Sequence, residues 1–351
     1  RDAFCGKISV CNNLYQRNIP FSLTRLHTCP IESPQFEDDL RWFKGVCAVV
    51  NGLKGARIAM LGARPIAFNT VRYSEKLLQK HGISVQTIDF SEIIFKAMHY
   101  NDAEKVVAKI KEIREYGSVP AWISDEVMEK QAKLCLVIDK AIEDLQCDAS
   151  TVQCWDSVEN NYGCATCLAM SMMGDNGKPS ACESDVTGAL SMLAAWLAAG
   201  TAPALMDWNN NIREERNACV SLHCSNFPKS FFQNDVEIEC LDVLGSTLGK
   251  ENCFGACKGH VAAGDMTFIR LTTDDQRGTV KAYLGEGVFR DEVIPTKGGV
   301  ANCYIENLQN LLRYVCENGY EHHVCFVRGH VADILEEALT KYMGIPVYRH
   351  R

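Results

Sequence analysis

Arg57-Ile58-Ala59-Met60-Leu61-Gly62 and Ile83-Ser84-Val85-Gln86-Thr87-Ile88-Asp89 decide the fold class. The first is a short apolar run closed by the turn Ala63-Arg64-Pro65, which has the length and punctuation of a buried strand. The second alternates apolar and polar residues as a strand does. Between them, Thr70 to Lys80 sets Val71, Leu77 and Leu78 on one side and halts at Gly82, predicting a helix with a glycine stop. The three pieces form a βαβ unit, for which a right-handed crossover is expected.

The pattern continues outward in both directions. Asp102 to Tyr116 and Asp125 to Leu145 carry apolar residues at three- and four-residue steps, with Ser124 placed to cap the second. Val152-Gln153-Cys154-Trp155 reads as another strand, and Val186 to Leu197 as a buried helix ending before Gly200. From Asp207 onward the apolar runs shorten and turns such as Gly278 and Gly285 become frequent. Helical periodicity returns only at Asn307 to Val315 and Val331 to Tyr342, so this half reads as β-rich. The chain opens at Arg1 rather than Met, in what reads as the middle of a strand and loop pattern, and is expected to be incomplete.

A length of 351 residues suggests two or three domains with ample core. The net charge of −8 argues against a nucleic-acid or anionic-membrane partner. The longest apolar candidate, Ala189 to Ala199, falls well short of the roughly 18 to 20 residues that span a bilayer. Eighteen cysteines spread along a chain of this size read as reduced thiols of a cytoplasmic protein. Cys164-Ala165-Thr166-Cys167 has CxxC spacing, but no second pair follows at zinc-ribbon distance, and packing is the better reading, as for Cys253 and Cys257. Gly62 follows a strand without a GxGxxG, and no GxxxxGK[ST] occurs, so nicotinamide or P-loop binding is unsupported. Arg64, at a strand's carboxyl end, is placed either to reach a ligand crevice or to form a surface ion pair.

Four residues stand out as ligands for a hard divalent ion: Glu183, Asp207, His223 and His323. Two carboxylates and two imidazoles suit Mn²⁺ or a similar cation. Glu183 precedes the helix from Val186, whereas Asp207 ends Ala204-Leu205-Met206 and His223 follows Ala218-Cys219-Val220-Ser221-Leu222, as strand-end residues would. Taken singly, an acid before a helix is more often a cap, and a histidine on an apolar strand a hydrogen-bonded core residue. Asp185 is either a helix cap or a carboxylate orienting a ligand.

The words around these residues group them. Cys182-Glu183-Ser184-Asp185-Val186-Thr187-Gly188-Ala189-Leu190, then Ala204-Leu205-Met206-Asp207-Trp208-Asn209, then Ser221-Leu222-His223-Cys224-Ser225 resemble, in order and context, the L-fucose isomerase and L-arabinose isomerase superfamily. Asn318-Gly319-Tyr320-Glu321-His322-His323-Val324 is similar to its late paired-histidine segment, whose second histidine is a ligand; this selects His323 over His322. The resemblance implies Rossmann-like parallel-sheet domains followed by a carboxy-terminal β-barrel. On this chain that means a remnant of a first Rossmann-like domain at 1–48, a central α/β domain at 49–200 and a β-rich barrel domain at 201–351. It further implies aldose–ketose isomerisation through a cis-enediol, with Mn²⁺ on the four ligands and with Glu183 and Asp207 exchanging the C2 and C1 protons. Trp155, Trp208, Asn209 and Glu286 are the expected sugar contacts. Asp207, in place of a glutamate, leans toward the L-fucose and D-arabinose branch. Hexamers with shared active sites are implied in the same way. A non-catalytic sugar-binding or regulatory protein, and a metal-dependent lyase or epimerase, are the rival readings.

Overall fold

The computed structural model describes residues 3–351. Its first half runs α1 (Ala3–Gln16), α2 (Pro34–Leu53), β1 (Arg57–Leu61), α3 (Glu75–Gln79), β2 (Ser84–Ile88), α4 (Phe90–Met98), α5 (Ala103–Tyr116), α6 (Asp125–Asp144), β3 (Ala149–Val152), α7 (Ser157–Asn161), α8 (Cys167–Asp175), β4 (Ser180–Cys182) and α9 (Val186–Ala199). The strands form one all-parallel sheet in the order β2-β1-β3-β4. Parallel pairing requires helical crossovers, which the intervening helices supply. Local chemistry fixes their ends. The Ser124 hydroxyl accepts the Val127 N–H at the start of α6, and Asp102 accepts from Lys105 at the start of α5, each a cap of about 1 kcal/mol. Gly82, at φ +79°, takes the left-handed turn that leads from α3 into β2.

The second half runs β5 (Ala204–Ile212), β6 (Glu215–His223), β7 (Glu237–Cys240), α10 (Asp242–Leu248), β8 (Phe254–His260), β9 (Gly264–Asp274), β10 (Thr279–Arg290), β11 (Gly299–Tyr304), α11 (Leu308–Glu317), β12 (His323–Arg328), α12 (Ala332–Glu337) and β13 (Val347–Arg349). Six strands follow one another as β10-β9-β12-β5-β6-β11, and β10 pairs with β11 to close an antiparallel barrel. Closure removes the sheet edges that would otherwise be left unpaired.

Helix α9 joins the two halves. It is buried from Val186 to Ala195 and packs on β1, β3 and β4 of the parallel sheet, on β9 and β12 of the barrel, and on α2. A helix apolar all round belongs in such a position. Its core unites Val46, Val49 and Leu53 of α2 with Leu190 and Leu193 of α9, Leu271 of β9 and Leu335 of α12. At its carboxyl end Gly200, at φ +69°, lets the chain leave in the left-handed conformation.

Several expectations shift. The amino terminus is helical over α1 rather than strand and loop. The helix expected over Thr70 to Lys80 is a 3₁₀ turn at Asn69–Val71 followed by the short α3. The strand expected to reach Trp155 stops at Val152, because Trp155 and Asp156 both have positive φ (63° and 55°) and cannot continue a ladder. The helix expected to Tyr342 changes to π geometry at Ala338–Tyr342. No helix among the described residues is long and apolar enough to cross a membrane.

Candidate metal centre

β4 ends at Cys182, and the next two residues, Glu183 and Ser184, both take left-handed backbone (φ 62° and 55°) before Asp185 starts α9. Such conformations cost non-glycine residues roughly 1–3 kcal/mol each and persist only where surrounding structure holds them. Here the turn puts Glu183 into the junction between sheet and barrel, and Asp185 at the helix amino terminus, where it accepts the Gly188 N–H.

The barrel brings the other residues to the same place. Asp207 of β5 and His323 of β12 are direct partners across an antiparallel pair, so both side chains leave the same face. His223 ends β6. His323 Nε2 lies 3.1 Å from Glu183 Oε2 and 3.5 Å from Asp207 Oδ1, and His223 Nε2 lies 4.0 Å from Glu183 Oε1. Glu183, His223 and His323 are buried, whereas Asp207 keeps a quarter of its side chain exposed. Ligand atoms of Glu183, His223 and His323 all lie within 4.8 Å of one another, as do those of Asp207, His322 and His323.

Among the described residues, Glu183 Oε2, Asp207 Oδ1, His223 Nδ1 and His323 Nε2 are buried and make no well-formed hydrogen bond, although Glu183 Oε2 and His323 Nε2 face each other at 3.1 Å. Orphaned buried polar atoms are rare, since each costs about 1–3 kcal/mol. Glu183 Oε2 and Asp207 Oδ1 lie 3.1 and 3.5 Å from His323 Nε2, with His223 Nε2 beside the other Glu183 oxygen, an arrangement that suits a hard divalent cation. Charge points the same way. Glu183, Asp185, Glu321 and Asp207 bring four carboxylates to the cluster against one permanent cation, Arg270.

Asp185 acts behind the site. Its Oδ2 accepts from His323 Nδ1 at 2.8 Å, which turns the ring so that Nε2 faces Glu183 and Asp207. Burial works against ionisation of Asp185, but Arg270 and His323 overcome it and hold its carboxyl far below the usual range. Burial likewise opposes a charge on His323, yet the hydrogen bond to Asp185 and the Glu183 carboxylate beside the ring win and lift its pKa to about 10. Burial also disfavours the Glu183 carboxylate, but the His323 contact and the charges of His223 and His323 hold its pKa below the ordinary value. In the metal-free chain at neutral pH, His323 therefore holds a proton that a cation would displace.

The remaining expected contacts divide. Trp155 packs against Phe68 at 5.9 Å, and its indole N–H is buried without a partner. Trp208 turns to the opposite side of β5 from Asp207, where its N–H donates to Tyr283 Oη at 2.8 Å and its ring packs on Phe268 and Phe326. Period-two alternation makes that side the barrel interior, so the two neighbours do not face one cleft. Asn209 is exposed at a β-bulge. Glu286 accepts from the Ala332 N–H at the start of α12 and pairs with Arg349 at 3.4 Å, tying barrel to helix instead of joining the cluster.

Other residues enter that the sequence motifs do not single out. Phe68, on the loop after β1, lies 5.9 Å from His322, 6.4 Å from His323 and 5.9 Å from Trp155, forming an aromatic cover. His322 approaches Asp207 Oδ1 at 3.6 Å. Burial and the neighbouring His323 charge push its pKa down. Arg270, between Ile269 and Leu271, does carry a sequence signal, since a charge inside a buried strand requires a partner. A cavity of about 1170 Å³ adjoins the cluster through Ser184; its wall includes Arg64, Arg72, Tyr73, Arg277 and Lys281, but none of the four candidate ligands. Arg277 and Lys281 pair with Asp274, whereas Arg64 and Arg72, among the described residues, bond only to backbone carbonyls.

The chain is similar to known sugar isomerases along nearly its whole length. Residues 221–351 match a family model described as L-fucose isomerase, C-terminal domain, and residues 1–54 one described as fucose/sulfoquinovose isomerase, N-terminal domain. A sulfoquinovose isomerase of Priestia aryabhattai is 27% identical over 341 residues, covering 96% of this chain and 73% of that protein. Sulfoquinovose isomerases of Alkalicoccus urumqiensis (24% identical; 86% and 66% covered) and Clostridium sp. (strain MSTE9) (27%; 82% and 63%) also match.

Proposed function

We propose that the chain is an aldose–ketose isomerase of the fucose isomerase-like family that works with a divalent cation, Mn²⁺ by preference, held by Glu183, Asp207, His223 and His323. The observation that carries this reading is the set of buried ligand atoms of Glu183, Asp207 and His323 that make no well-formed hydrogen bond, with His223 Nε2 beside Glu183. When bound, the cation supplies Lewis-acid polarisation of a sugar carbonyl and its neighbouring hydroxyl, making the C2 hydrogen acidic. The chain's own residues do the rest. Glu183 and Asp207 are the carboxylates placed to take the C2 proton and return it to C1, passing through an enediol. His323, oriented by Asp185, holds its partners in register. Phe68 and Trp155 shield the site from water and leave the unpartnered Trp155 N–H for a sugar hydroxyl.

Two substrate types compete. The Asp207 motif favours a neutral sugar of the L-fucose or D-arabinose type. Arg64 and Arg72, cationic and without an ion-pair partner among the described residues, favour a sugar with an anionic substituent far from its carbonyl, and the relatives named above are sulfoquinovose isomerases. The arginines make the anionic sugar our preferred substrate. The division into 1–48, 49–200 and 201–351, a hexameric assembly and a cytoplasmic location with all eighteen cysteines free belong to the same proposal.

The test is a screen of neutral and anionic aldoses and ketoses in deuterated water, on the full chain after chelation and after Mn²⁺ add-back. Isomerisation that needs Mn²⁺ and places solvent deuterium in the product is expected. Turnover that survives complete chelation would remove the cation, and a product retaining all substrate hydrogen would replace proton transfer with a hydride shift. Preference for the neutral sugar would reverse the substrate choice.

A further inference from the structure

Arg270 is completely buried on β9, and each nitrogen of its guanidinium donates at least one hydrogen bond. Nη1 and Nη2 grip the two oxygens of Asp185 at 2.6 and 3.0 Å, Nη2 also reaches Thr187 Oγ1 at 2.9 Å, and Nε donates to Glu321 at 3.1 Å. The other Glu321 oxygen accepts the Thr272 hydroxyl. The chain Glu321–Arg270–Asp185–His323 thus runs from the barrel wall to the candidate metal centre without a break.

Two features distinguish this from an ordinary buried ion pair. The fork fixes the plane of the Asp185 carboxylate, and one oxygen of that plane accepts from His323 Nδ1. A bidentate guanidinium sets such a plane, which a lysine ammonium, a single point charge, does not. The second feature is charge. Arg270 offsets Asp185 and Glu321, which touch no candidate ligand except through His323, so the charge of an incoming cation is left for Glu183 and Asp207.

We propose that Arg270, braced by Glu321, is a positioning residue that sets the orientation of His323 through Asp185 and thereby the affinity of the centre for its divalent cation. Arg270 touches neither substrate nor cation. The inference rests on the metal-dependent reading above. Groups that hydrogen-bond a metal-ligating histidine, the place Asp185 holds here, typically change metal affinity by about 10- to 100-fold when altered; Arg270 acts through that group, so the low end of the range is expected.

The experiment is a Mn²⁺ titration of metal-free full-length chains, reading free Mn²⁺ by its electron paramagnetic resonance signal, with thermal unfolding and steady-state kinetics measured beside it. R270K keeps the charge and loses the fork. It is expected to bind Mn²⁺ about 10-fold more weakly, with the unfolding curve of the metal-free chain little changed. Turnover and sugar KM should return toward wild type at saturating Mn²⁺. E321Q, nearly isosteric and one step further out, should weaken binding in the same direction by a smaller factor. A folded R270K with wild-type Mn²⁺ affinity overturns the proposal. If R270K does not fold, unchanged affinity in E321Q overturns it. Mn²⁺ binding by wild type with no isomerised sugar would count against the functional reading alone, and no binding by wild type would end both.

Discussion

Loading the metal-free chain with Mn²⁺ should expel a proton, and affinity should climb with pH. The proton belongs to His323, whose Nδ1 is committed to Asp185 at 2.8 Å and whose Nε2 points between Glu183 and Asp207. Burial opposes the charged ring, but the hydrogen bond to Asp185 and the adjacent Glu183 carboxylate lift its pKa to about 10. A ligand nitrogen must give up that proton, so each pH unit below the pKa costs about 1.4 kcal/mol of apparent binding energy, or tenfold in affinity. Glu183 is already ionised in this range, because its pKa is held below the ordinary value, and adds no second proton. Between about pH 6.5 and about pH 8.5, Mn²⁺ should therefore bind about 100-fold more tightly, a gain of about 2.7 kcal/mol. Isothermal titration calorimetry in two buffers of different ionisation enthalpy reads both the affinity and the number of protons released. Affinity that stays flat across this window, with no proton released, would refute the placement of His323 as the protonated ligand.

The same ring makes stability of the metal-free chain pH-dependent: with a folded pKa near 10 against an unfolded 6.5, its contribution is complete below the lower value and drains away as pH rises toward the upper. Urea midpoints should fall across that interval, and Mn²⁺ should flatten the decline. Glu183→Gln should abolish turnover at saturating Mn²⁺ and leave the circular dichroism spectrum intact, since only one oxygen is exchanged; near-normal activity would dismiss Glu183 from the chemistry. Replacing Arg64 and Arg72 together by alanine should raise KM for an anionic sugar by about tenfold or more, equivalent to about 1.4 kcal/mol, and leave a neutral sugar unaffected. Gly188→Ala would set a Cβ 2.5 Å from Asp185 Oδ2; both Mn²⁺ affinity and thermal stability should drop, and unchanged values would show that the α9 cap can yield.

What the sequence made legible was local or carried by motif. The Ser124 cap, the α6 stripe and the left-handed stop at Gly200 follow from neighbours within one or two turns, and they appear where expected. Glu183, Asp207, His223 and His323 were marked by the words around them; the structure sets them in two triads that share His323, Glu183 with His223 and Asp207 with His322. The Arg270 grip on Asp185 was hidden because it joins residues 85 positions apart, and no local pattern specifies which buried acid a buried arginine will meet. Phe68 was hidden for a related reason, since its loop reaches histidines more than 250 positions along the chain and only tertiary packing brings them together. The strand expected to run through Trp155 looked regular by composition. Its end is set by two left-handed residues, a conformation the side chains themselves do not announce. Trp208 offered a clue that residue type obscured, because a side chain next to Asp207 on one strand must leave by the other face.

Asp207 and His323 are rung partners on adjacent antiparallel strands, and this constrains how the gene can change length. Inserting or deleting a single codon within β5 or β12 would rotate every side chain beyond it to the opposite face, sending one of these two residues into the barrel lumen and a lumen residue out toward the sugar. Indels should accumulate instead in exposed connections such as the turn around Gly278, between β9 and β10, where an added residue displaces nothing that must meet across a rung.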